Sequence, residues 1–361
     1  MSSLRVLTVV PTLGPGGAEA FAVDLAVGLK ERGHASCIHV LAEVRGDRGL
    51  HLMTKASVAG IEVKSANVPS PRHLYRSISA LSSTLASFKP DTVLAHLTAS
   101  EVIAPLSGLA ARKTNLRYAR VVHLPRLSRV QRLVAPLYKK TFVVSQEGVR
   151  VLKGLGVDAR YVRNGLLHCP IPAPATLPTK QELSLAIVGH FRGGVSGSKG
   201  LDIALRALQL LIAARPAKLH VFGMRADEVP LLDSLTTSLG INDHVVNHGI
   251  VSDLPSALIQ INTHIALMPS RIEGESIALM EYSTLGIPVV LSDITSFREM
   301  FEQQFDWTFF PSENPQSLAD AILKRVGSPW PDTHYRTAAI DKFNMKKTID
   351  EYEAVLQGMP R

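Results

Sequence analysis

The sequence predicts an α/β protein made of two domains, each with a doubly wound parallel sheet. Short apolar segments alternate with amphipathic helical segments along nearly the whole chain, which is the pattern of βαβ units. The alternation is interrupted at residues 168–182, where four prolines fall within 168–178 and indicate a stiff linker. The 361 residues suffice for two domains of ordinary size. We therefore expect domains at residues 1–167 and 183–340, followed by a C-terminal helix within 341–361.

Composition and charge restrict the classes of partner. The net charge is +8 at pH 7, which favours an anionic partner such as a nucleotide diphosphate or an acidic lipid headgroup. An ordinary basic surface is the alternative explanation. Basic and aromatic residues are not interleaved as they are in nucleic-acid-binding proteins, so we expect no nucleic-acid partner.

Targeting and redox signals are weak along this chain. No apolar run approaches the ~18 residues of a membrane span, and the segment at 1–12 is too short and strand-like for a secretory signal. The two cysteines, Cys37 and Cys169, match no metal or redox spacing. These features predict a cytoplasmic protein.

The first domain opens with a predicted strand at 5–10, a glycine-rich loop, a helix and a second strand at 38–41. Gly14 and Gly16 begin a Gly-x-Gly-x-x-Gly pattern, but Glu19 stands where the third glycine is required, so the dinucleotide fingerprint is not met. The adjacent Gly16 and Gly17 let a loop approach a ligand closely. A turn that only requires positive φ is the alternative.

Two histidines lie at the ends of predicted strands in the same domain. After a helix at 73–88, a strand at 91–97 contains His96, and a strand at 118–123 ends on His123. Each histidine alone is more often a structural residue than a catalyst. Their positions favour a functional role, because ligands bind at the carboxyl ends of strands in open α/β sheets.

A basic segment at 124–140 predicts an amphipathic helix. Arg126, Arg129 and Arg132 recur at the spacing of neighbours on one helix face, between apolar residues. Such a helix can dock on an anionic membrane surface, or it can be an ordinary solvated helix. Pro136 limits its length. A strand at 141–145 and a helix at 146–155 follow.

The second domain begins with a strand at 183–189, a glycine- and serine-rich loop at 190–200 and a helix at 201–213. The loop has the size to accept a phosphate group, and Arg192 and Lys199 flank it. It is not a P-loop, because Gly-Lys-Ser/Thr is missing. Arg192 can bind phosphate bidentately and Lys199 as a point charge. For Arg192, an ordinary exposed loop residue is the alternative.

The most informative segment is the strand–loop–helix–strand unit at 264–291. An apolar strand at 264–268 leads into a loop and then a helix at 277–285, which Gly286 and Pro288 end. The amides from Gly274 to Ile277 and the positive end of the helix dipole favour an anionic phosphate there.

Two glutamates frame this loop and helix. Glu273 lies on the loop and Glu281 about one turn into the helix, so they cannot form an i, i+4 pair. They could contact two ends of one extended ligand. Two solvated glutamates near a helix start are the alternative.

These residues carry a family resemblance. The pattern Pro269-Ser270-x-x-Glu273-Gly274, then Glu281, then Gly286-x-Pro288-Val289-Val290, is similar to the donor-site signature of family-four retaining glycosyltransferases of GT-B fold. The resemblance implies two Rossmann-like domains facing a cleft, with the C-terminal helix crossing back onto the first domain. It also implies that Glu273 lies near the transferred sugar and Glu281 on the nucleotide ribose.

The resemblance extends to other positions. It implies that Gly16, Gly17 and Glu19 face the donor phosphate and the acceptor. It also implies that His123, rather than His96, contacts the donor sugar and that Lys199 binds the diphosphate. His190 stands where the family usually has arginine, so Arg192 is the expected substitute. Glu275 and Ser276 replace the usual aromatic residue and glycine, and Glu275 adds a charge beside the sugar pocket.

The implied function is a retaining glycosyltransferase that moves a hexosyl or N-acetylhexosaminyl group from a UDP- or GDP-sugar to a saccharide or lipid-linked acceptor. The expected setting is cell-surface polysaccharide biosynthesis, in the cytoplasm or at the inner face of the membrane. We expect no metal, because no two aspartates form an Asp-x-Asp. A GT-B-like epimerase or phosphorylase and a catalytically silent sugar-nucleotide binder are the alternatives. The predicted catalytic residues are Glu273, His123 and Lys199, and the predicted donor-binding residues are Gly16, Gly17, Arg192, Gly274, Glu275, Ser276, Ile277 and Glu281.

Overall fold

The computed structural model describes residues 3–359 apart from 15, 45, 114, 168–181, 192–193, 302–304, 306, 327 and 329–332. The chain forms two compact units. Unit 1 consists of Met1–Leu167 together with Asn344–Arg361, and unit 2 of His168–Phe343. The second boundary falls three residues beyond the predicted 340, because a helix that belongs to unit 2 continues to Lys342.

Unit 1 is built on a seven-stranded parallel sheet in the order β3-β2-β1-β4-β5-β6-β7. The strand order reverses beside β1, so the carboxyl ends of β1 and β4 form the switch point at which open α/β sheets bind ligands. The strands are β1 (Arg5–Val10), β2 (Ala35–Val40), β3 (Glu62–Ser65), β4 (Thr92–His96), β5 (Arg117–Val122), β6 (Lys140–Val143) and β7 (Arg160–Tyr161).

The helices of unit 1 include those that connect the strands and one at the C-terminal end of the chain. They are α1 (Gly17–Glu31), α2 (Gly46–Val58), α3 (Leu74–Phe88), α4 (Leu97–Ala110), α5 (Arg129–Val134), α6 (Gln146–Gly154) and α14 (Met345–Gln357). Helix α14 packs on α1 so closely that a Cβ on Gly28 would lie 2.0 Å from Ile349 Cδ1. Tyr352 of α14 adds a ring contact with Phe142 at 4.4 Å. The C-terminal helix is therefore part of the core of unit 1.

Unit 2 is built on a six-stranded parallel sheet in the order β10-β9-β8-β11-β12-β13. Its switch point lies between β8 and β11, which places the loops after these two strands side by side. The strands are β8 (Leu183–Val188), β9 (Ala217–Phe222), β10 (Val245–Gly249), β11 (Ile265–Met268), β12 (Val289–Ser292) and β13 (Trp307–Phe310).

The helices of unit 2 surround a core in which Leu and Ile side chains of β8 and β11 meet those of α7. They are α7 (Leu201–Ile212), α8 (Val229–Leu239), α9 (Leu254–Gln260), α10 (Ile277–Leu285), α11 (Thr295–Met300), α12 (Pro315–Val326) and α13 (Thr333–Lys342). Across the described parts of both units, no helix is both long enough and apolar enough to traverse a bilayer.

The amphipathic helix predicted at 124–140 is wrong in extent. Helix α5 covers only Arg129–Val134 and is followed by a short 3₁₀ turn, so Arg126 lies outside it. The reason is local. Ser128 and Gln131 form a reciprocal capping box that starts the helix late, and Pro136 supplies no backbone N–H to extend it.

Candidate functional site

Helix α10 has the bounds that the sequence predicts, and its start lies in a buried loop. Ser276 caps the helix by accepting a hydrogen bond from the Leu279 amide at 3.4 Å. Gly286 ends it in the left-handed region, at φ +74°. Gly274, Glu275 and Ser276 are buried, whereas Glu281, in the second turn, is partly exposed. The first amides of such a helix have no acceptor within it, so they are suited to an anion.

Glu273 and Lys199 form the central contact of this loop. Lys199 Nζ lies 2.5 Å from Glu273 Oε1, and Ser270 Oγ donates to the same oxygen at 3.0 Å. Among the described residues, no group donates to Oε2. Lys199 has three N–H donors and uses one of them on Glu273. A buried carboxylate oxygen and two ammonium donors therefore stay available to a ligand.

Two glycines bring Lys199 to this position. Gly200 has φ +64°, and a Cβ there would lie 2.0 Å from the Pro269 carbonyl oxygen. A Cβ on Gly189 would lie 2.8 Å from Lys199 Cγ. The missing side chain at Gly200 therefore lets the loop after β8 approach the loop after β11, and the missing side chain at Gly189 leaves room for Lys199.

Arg271, which the sequence analysis did not single out, ties the same two loops together. Its guanidinium forms a bidentate pair with Asp202, at 3.0 Å for each bond, and contacts the carboxylate of Glu313 at 2.5–2.8 Å. It also donates to the carbonyl oxygens of Ser196 and Gly197. The bonds to Asp202 raise the pKa of Arg271 above its ordinary value. Because its donors are engaged within the protein, Arg271 orders the loops rather than offering charge to a ligand.

Two further residues of unit 2, Arg192 and Glu275, were predicted to bind the sugar donor. Arg192 lies outside the described residues, and the predicted substitution for His190 stays a prediction. Glu275 is only 7% exposed. In the part of the chain that the structure describes, no three His, Cys, Asp or Glu side chains are grouped so as to hold a metal ion.

In unit 1, the loop after β1 is shaped by Glu19. The Glu19 carboxylate accepts from Thr12 Oγ1 at 3.4 Å. A Cβ on Gly16 would lie 2.2 Å from Glu19 Oε2, so the backbone of Gly16 lies directly against this carboxylate. Gly17 is exposed and opens α1. The close approach at Gly16 is thus to a carboxylate of the same chain, and the contacts of Gly16 and Gly17 with donor phosphate and acceptor stay predictions.

The same sheet edge brings His96 and His123 together. His96 is the last residue of β4 and His123 follows β5, so adjacent strands place the rings side by side. His96 Nδ1 lies 3.2 Å from His123 Nε2, and Phe21 of α1 contacts both rings. Burial and the neighbouring His123 lower the pKa of His96 well below its ordinary value, and burial lowers the pKa of His123 to about 4. Both rings are therefore neutral at physiological pH.

A fully buried ion pair in the same unit was also missed by the sequence analysis. Arg120 of β5 donates to Glu101 Oε2 at 2.9 Å and to Thr141 Oγ1 at 3.0 Å. Gln131 of α5 donates to the other Glu101 oxygen at 3.0 Å, and its carbonyl oxygen accepts from Arg120. Tyr138 donates to the Glu101 carbonyl oxygen. The pair thus joins α4, β5, β6 and α5 in one network.

Comparisons with known proteins agree with the fold of both units. Residues 15–166 match the family described as Glycosyltransferase Family 4, and residues 177–340 match Glycosyl transferases group 1. Together the two matches cover most of the chain.

Individual relatives are distant. An uncharacterised glycosyltransferase of Methanocaldococcus jannaschii is 25% identical over 180 residues, which is 47% of this chain and 46% of that protein. The O-antigen biosynthesis glycosyltransferase WclY of Escherichia coli is 26% identical over 165 residues, 45% of this chain and 44% of WclY. The chain thus spans a little under half the length of these curated relatives.

Solved structures show the same fold over 98% of this chain. Anabaena HepE in complex with UDP and glucose has a TM-score of 0.80 at 16% identity, covering 98% of this chain and 100% of HepE. Sucrose-phosphate synthase from Thermosynechococcus elongatus has a TM-score of 0.78 at 14% identity, covering 98% of each chain. These likenesses establish the two-sheet GT-B fold.

Proposed function

The chain belongs to the glycosyl transferases of group 1, in glycosyltransferase family 4, and on that premise we propose that it moves a sugar from a nucleotide diphosphate donor to a saccharide or lipid-linked acceptor with retention of configuration. The transferred group is a hexosyl or N-acetylhexosaminyl group. The setting is the synthesis of a cell-surface polysaccharide. The similarity to an O-antigen biosynthesis glycosyltransferase and to HepE, which is known in complex with UDP, supports this choice.

The observation that carries the proposal is the Lys199–Glu273 contact. A nucleotide-sugar donor needs positive charge at its diphosphate and hydrogen-bond acceptors at its sugar hydroxyls. Lys199 has two N–H groups left after its bond to Glu273, and Glu273 Oε2 accepts no bond within the described chain. The start of α10 adds backbone amides beside them.

The proposed mechanism follows from where charge develops. The bond between the anomeric carbon and the β-phosphate oxygen breaks, and the departing diphosphate gains negative charge. Lys199 and the amides from Gly274 to Ile277 stabilise that charge, with Arg192 as the further predicted cation. The acceptor hydroxyl attacks the same face of the sugar, and its proton passes to the departing phosphate oxygen. Glu273 and His123 position the sugar, and Glu281 contacts the ribose.

The donor is tested first by thermal shift against UDP, GDP, ADP and their sugars. A ligand at 100 times its dissociation constant stabilises the folded state by about 2.7 kcal/mol. We expect a clear rise in melting temperature with a UDP compound, since HepE is known in complex with UDP and with UDP-glucose. GDP is the next candidate.

The reaction is tested with the donor that binds. We expect sugar release to depend on an acceptor and an α-linked donor to give an α-linked product. Turnover without acceptor, or turnover that requires orthophosphate, would indicate an epimerase or a phosphorylase. Binding without turnover of any kind would indicate a silent binder. A β-linked product from an α-linked donor would contradict retention.

We further propose that unit 1 meets an anionic membrane surface through the segment around α5. Leu133 is 79% exposed and Val130 is 47% exposed. Arg126, Arg129 and Arg132 are exposed around them. Peripheral membrane proteins typically insert apolar side chains into the bilayer surface, while neighbouring arginines contact the lipid phosphates.

This membrane contact is tested by flotation with phosphatidylcholine vesicles with and without phosphatidylglycerol. We expect binding only with the anionic lipid. The R129E/R132E variant should bind at least tenfold more weakly, because each basic residue contributes about 1 kcal/mol near such a surface. The charge-matched variant R206E/K324E, at exposed positions of unit 2, should bind like the wild type. Binding that ignores lipid charge would contradict the proposal.

A further inference from the structure

The stacked pair His96 and His123 shares one hydrogen bond, which restricts the protonation of both rings. The centroids are 5.4 Å apart with 29° between the ring planes, and the facing nitrogens are His96 Nδ1 and His123 Nε2, 3.2 Å apart. A hydrogen bond needs a proton on one of these nitrogens and a lone pair on the other. Since both rings are neutral, the choice of donor determines the tautomer of each ring.

The environment of His96 decides between the two arrangements. Its ring is completely buried, and its Nε2 has no hydrogen-bond partner in the described chain. If His123 donated, the proton of His96 would have to stand on that Nε2, as a buried N–H without an acceptor. If His96 donates, Nε2 carries only a lone pair. Orphaned buried N–H groups are rarer than orphaned acceptors, so the second arrangement is favoured.

We propose that His96 is a positioning residue that donates its Nδ1–H to His123 Nε2 and so holds His123 as the Nδ1–H tautomer. The remaining polar group on the ring of His123, a partly exposed residue, is then the Nδ1–H donor. It suits an oxygen acceptor, such as a sugar hydroxyl or a phosphate oxygen. The identity of that ligand rests on the proposed function, but the tautomer does not.

The histidine pair is not held by this bond alone. Phe21 contacts both rings, at centroid distances of 6.2 and 6.0 Å, and limits their rotation. Removing His96 would therefore leave His123 in place but free its Nε2. Without the Nδ1–H of His96 as donor, the His123 ring could populate both neutral tautomers. In the tautomer that is protonated on Nε2, Nδ1 of His123 could no longer donate.

The first test needs no substrate. Long-range ¹H–¹⁵N spectra of the imidazole rings distinguish the tautomers in the intact, ligand-free protein, with the His123 signals assigned by their loss in H123N. We expect protonated Nδ1 and unprotonated Nε2 for His123 between pH 6.5 and 8, consistent with its pKa of about 4. A protonated His123 Nε2 in the wild-type protein would overturn the proposal.

The second test compares two variants. In H96N, the side-chain amide nitrogen stands near the former Nδ1 and can still donate; in H96F, the ring fills the space without a donor. We expect H96F to give mixed His123 tautomers and to lower kcat/KM for the active donor about three- to tenfold, the range of one neutral hydrogen bond. H96N should keep the tautomer and most of the activity. Equal losses in both variants, with an unchanged His123 tautomer, would show that His96 only fills space.

These outcomes separate the inference from the proposed function. If the wild-type protein transfers no sugar, the proposed function fails, and the tautomer measurement still decides the role of His96. If sugar transfer is found and His123 carries its proton on Nε2, the positioning role fails while the proposed function stands. A variant that does not fold leaves the wild-type spectrum as the deciding measurement.

Discussion

Replacing Lys199 with alanine is expected to lower kcat/KM for the active donor about ten- to hundredfold. A hydrogen bond to a charged group contributes about 1.5–3 kcal/mol, which corresponds to this range of rates. The structure adds a second cost. Lys199 is the only cation within 4 Å of the Glu273 carboxylate in the described chain, so its removal leaves a buried acidic group with Ser270 as its one remaining donor. Steady-state initial rates measure the change.

A matched control is available in the same unit. Lys218 of β9 pairs with Glu182 at 3.3 Å, and both side chains are about two-fifths exposed, at 41% and 43%. K218A should leave kcat/KM within about twofold, because exposed ion pairs contribute little. If K199A behaves like K218A, the diphosphate does not depend on Lys199 and the proposed donor site is wrong.

The same pair also predicts non-additive effects. K199A, E273Q and the double variant form a cycle for two side chains that are in direct contact, and such pairs commonly couple by about 0.5–3 kcal/mol. We expect the double variant to lose less activity than the two single losses combined, because each single change already breaks the shared contact. Additive losses would mean that Lys199 and Glu273 act on the donor independently.

Replacing Arg120 with methionine is expected to destabilise unit 1 by about 3–5 kcal/mol, the usual cost of removing one partner of a buried ion pair. Burial already raises the pKa of Glu101, and Arg120 is the main group that opposes this shift. Without Arg120, the carboxylate would be left with Gln131 alone in a fully buried position. Urea unfolding, followed by a probe placed in unit 1, measures the loss.

Two further variants make this prediction specific. E101L/R120M should recover much of the loss, because replacing both charges removes the unpaired one. K64M, in the partly exposed Lys64–Glu62 pair of the same unit, should cost less than about 1 kcal/mol. A cost for R120M no larger than that of K64M would show that the buried network contributes little to stability.

Local signals in the sequence were sufficient for most elements. Helix α10 has the predicted bounds and ends at Gly286, because a left-handed glycine acts within a few residues of the helix end. The same kind of signal was overlooked at 124–140. Ser128 and Gln131 already marked a capping box there, and the arginine spacing was given more weight than the cap.

Side-chain partners far apart in sequence were beyond local reasoning. Lys199 and Glu273 were chosen separately, through a family resemblance, and their direct contact across 74 positions was not predicted. Arg271 lies two residues before Glu273 and looked like one more basic residue. The folded structure places the loop after β11 beside the loop after β8. In that position the N–H donors of Arg271 bond to Asp202, to Glu313 and to the loop after β8.

The sequence by itself determined the alternation of strands and helices and the end of helix α10 at Gly286, because these depend on the residue types within one short segment. Only the tertiary structure decided which polar groups meet. It placed His96 against His123, enclosed Arg120 with Glu101, and brought Lys199 and Ser270 to one oxygen of Glu273. The physical reason is that strand order and register set the distances between side chains on different strands, and neither is encoded in any single segment.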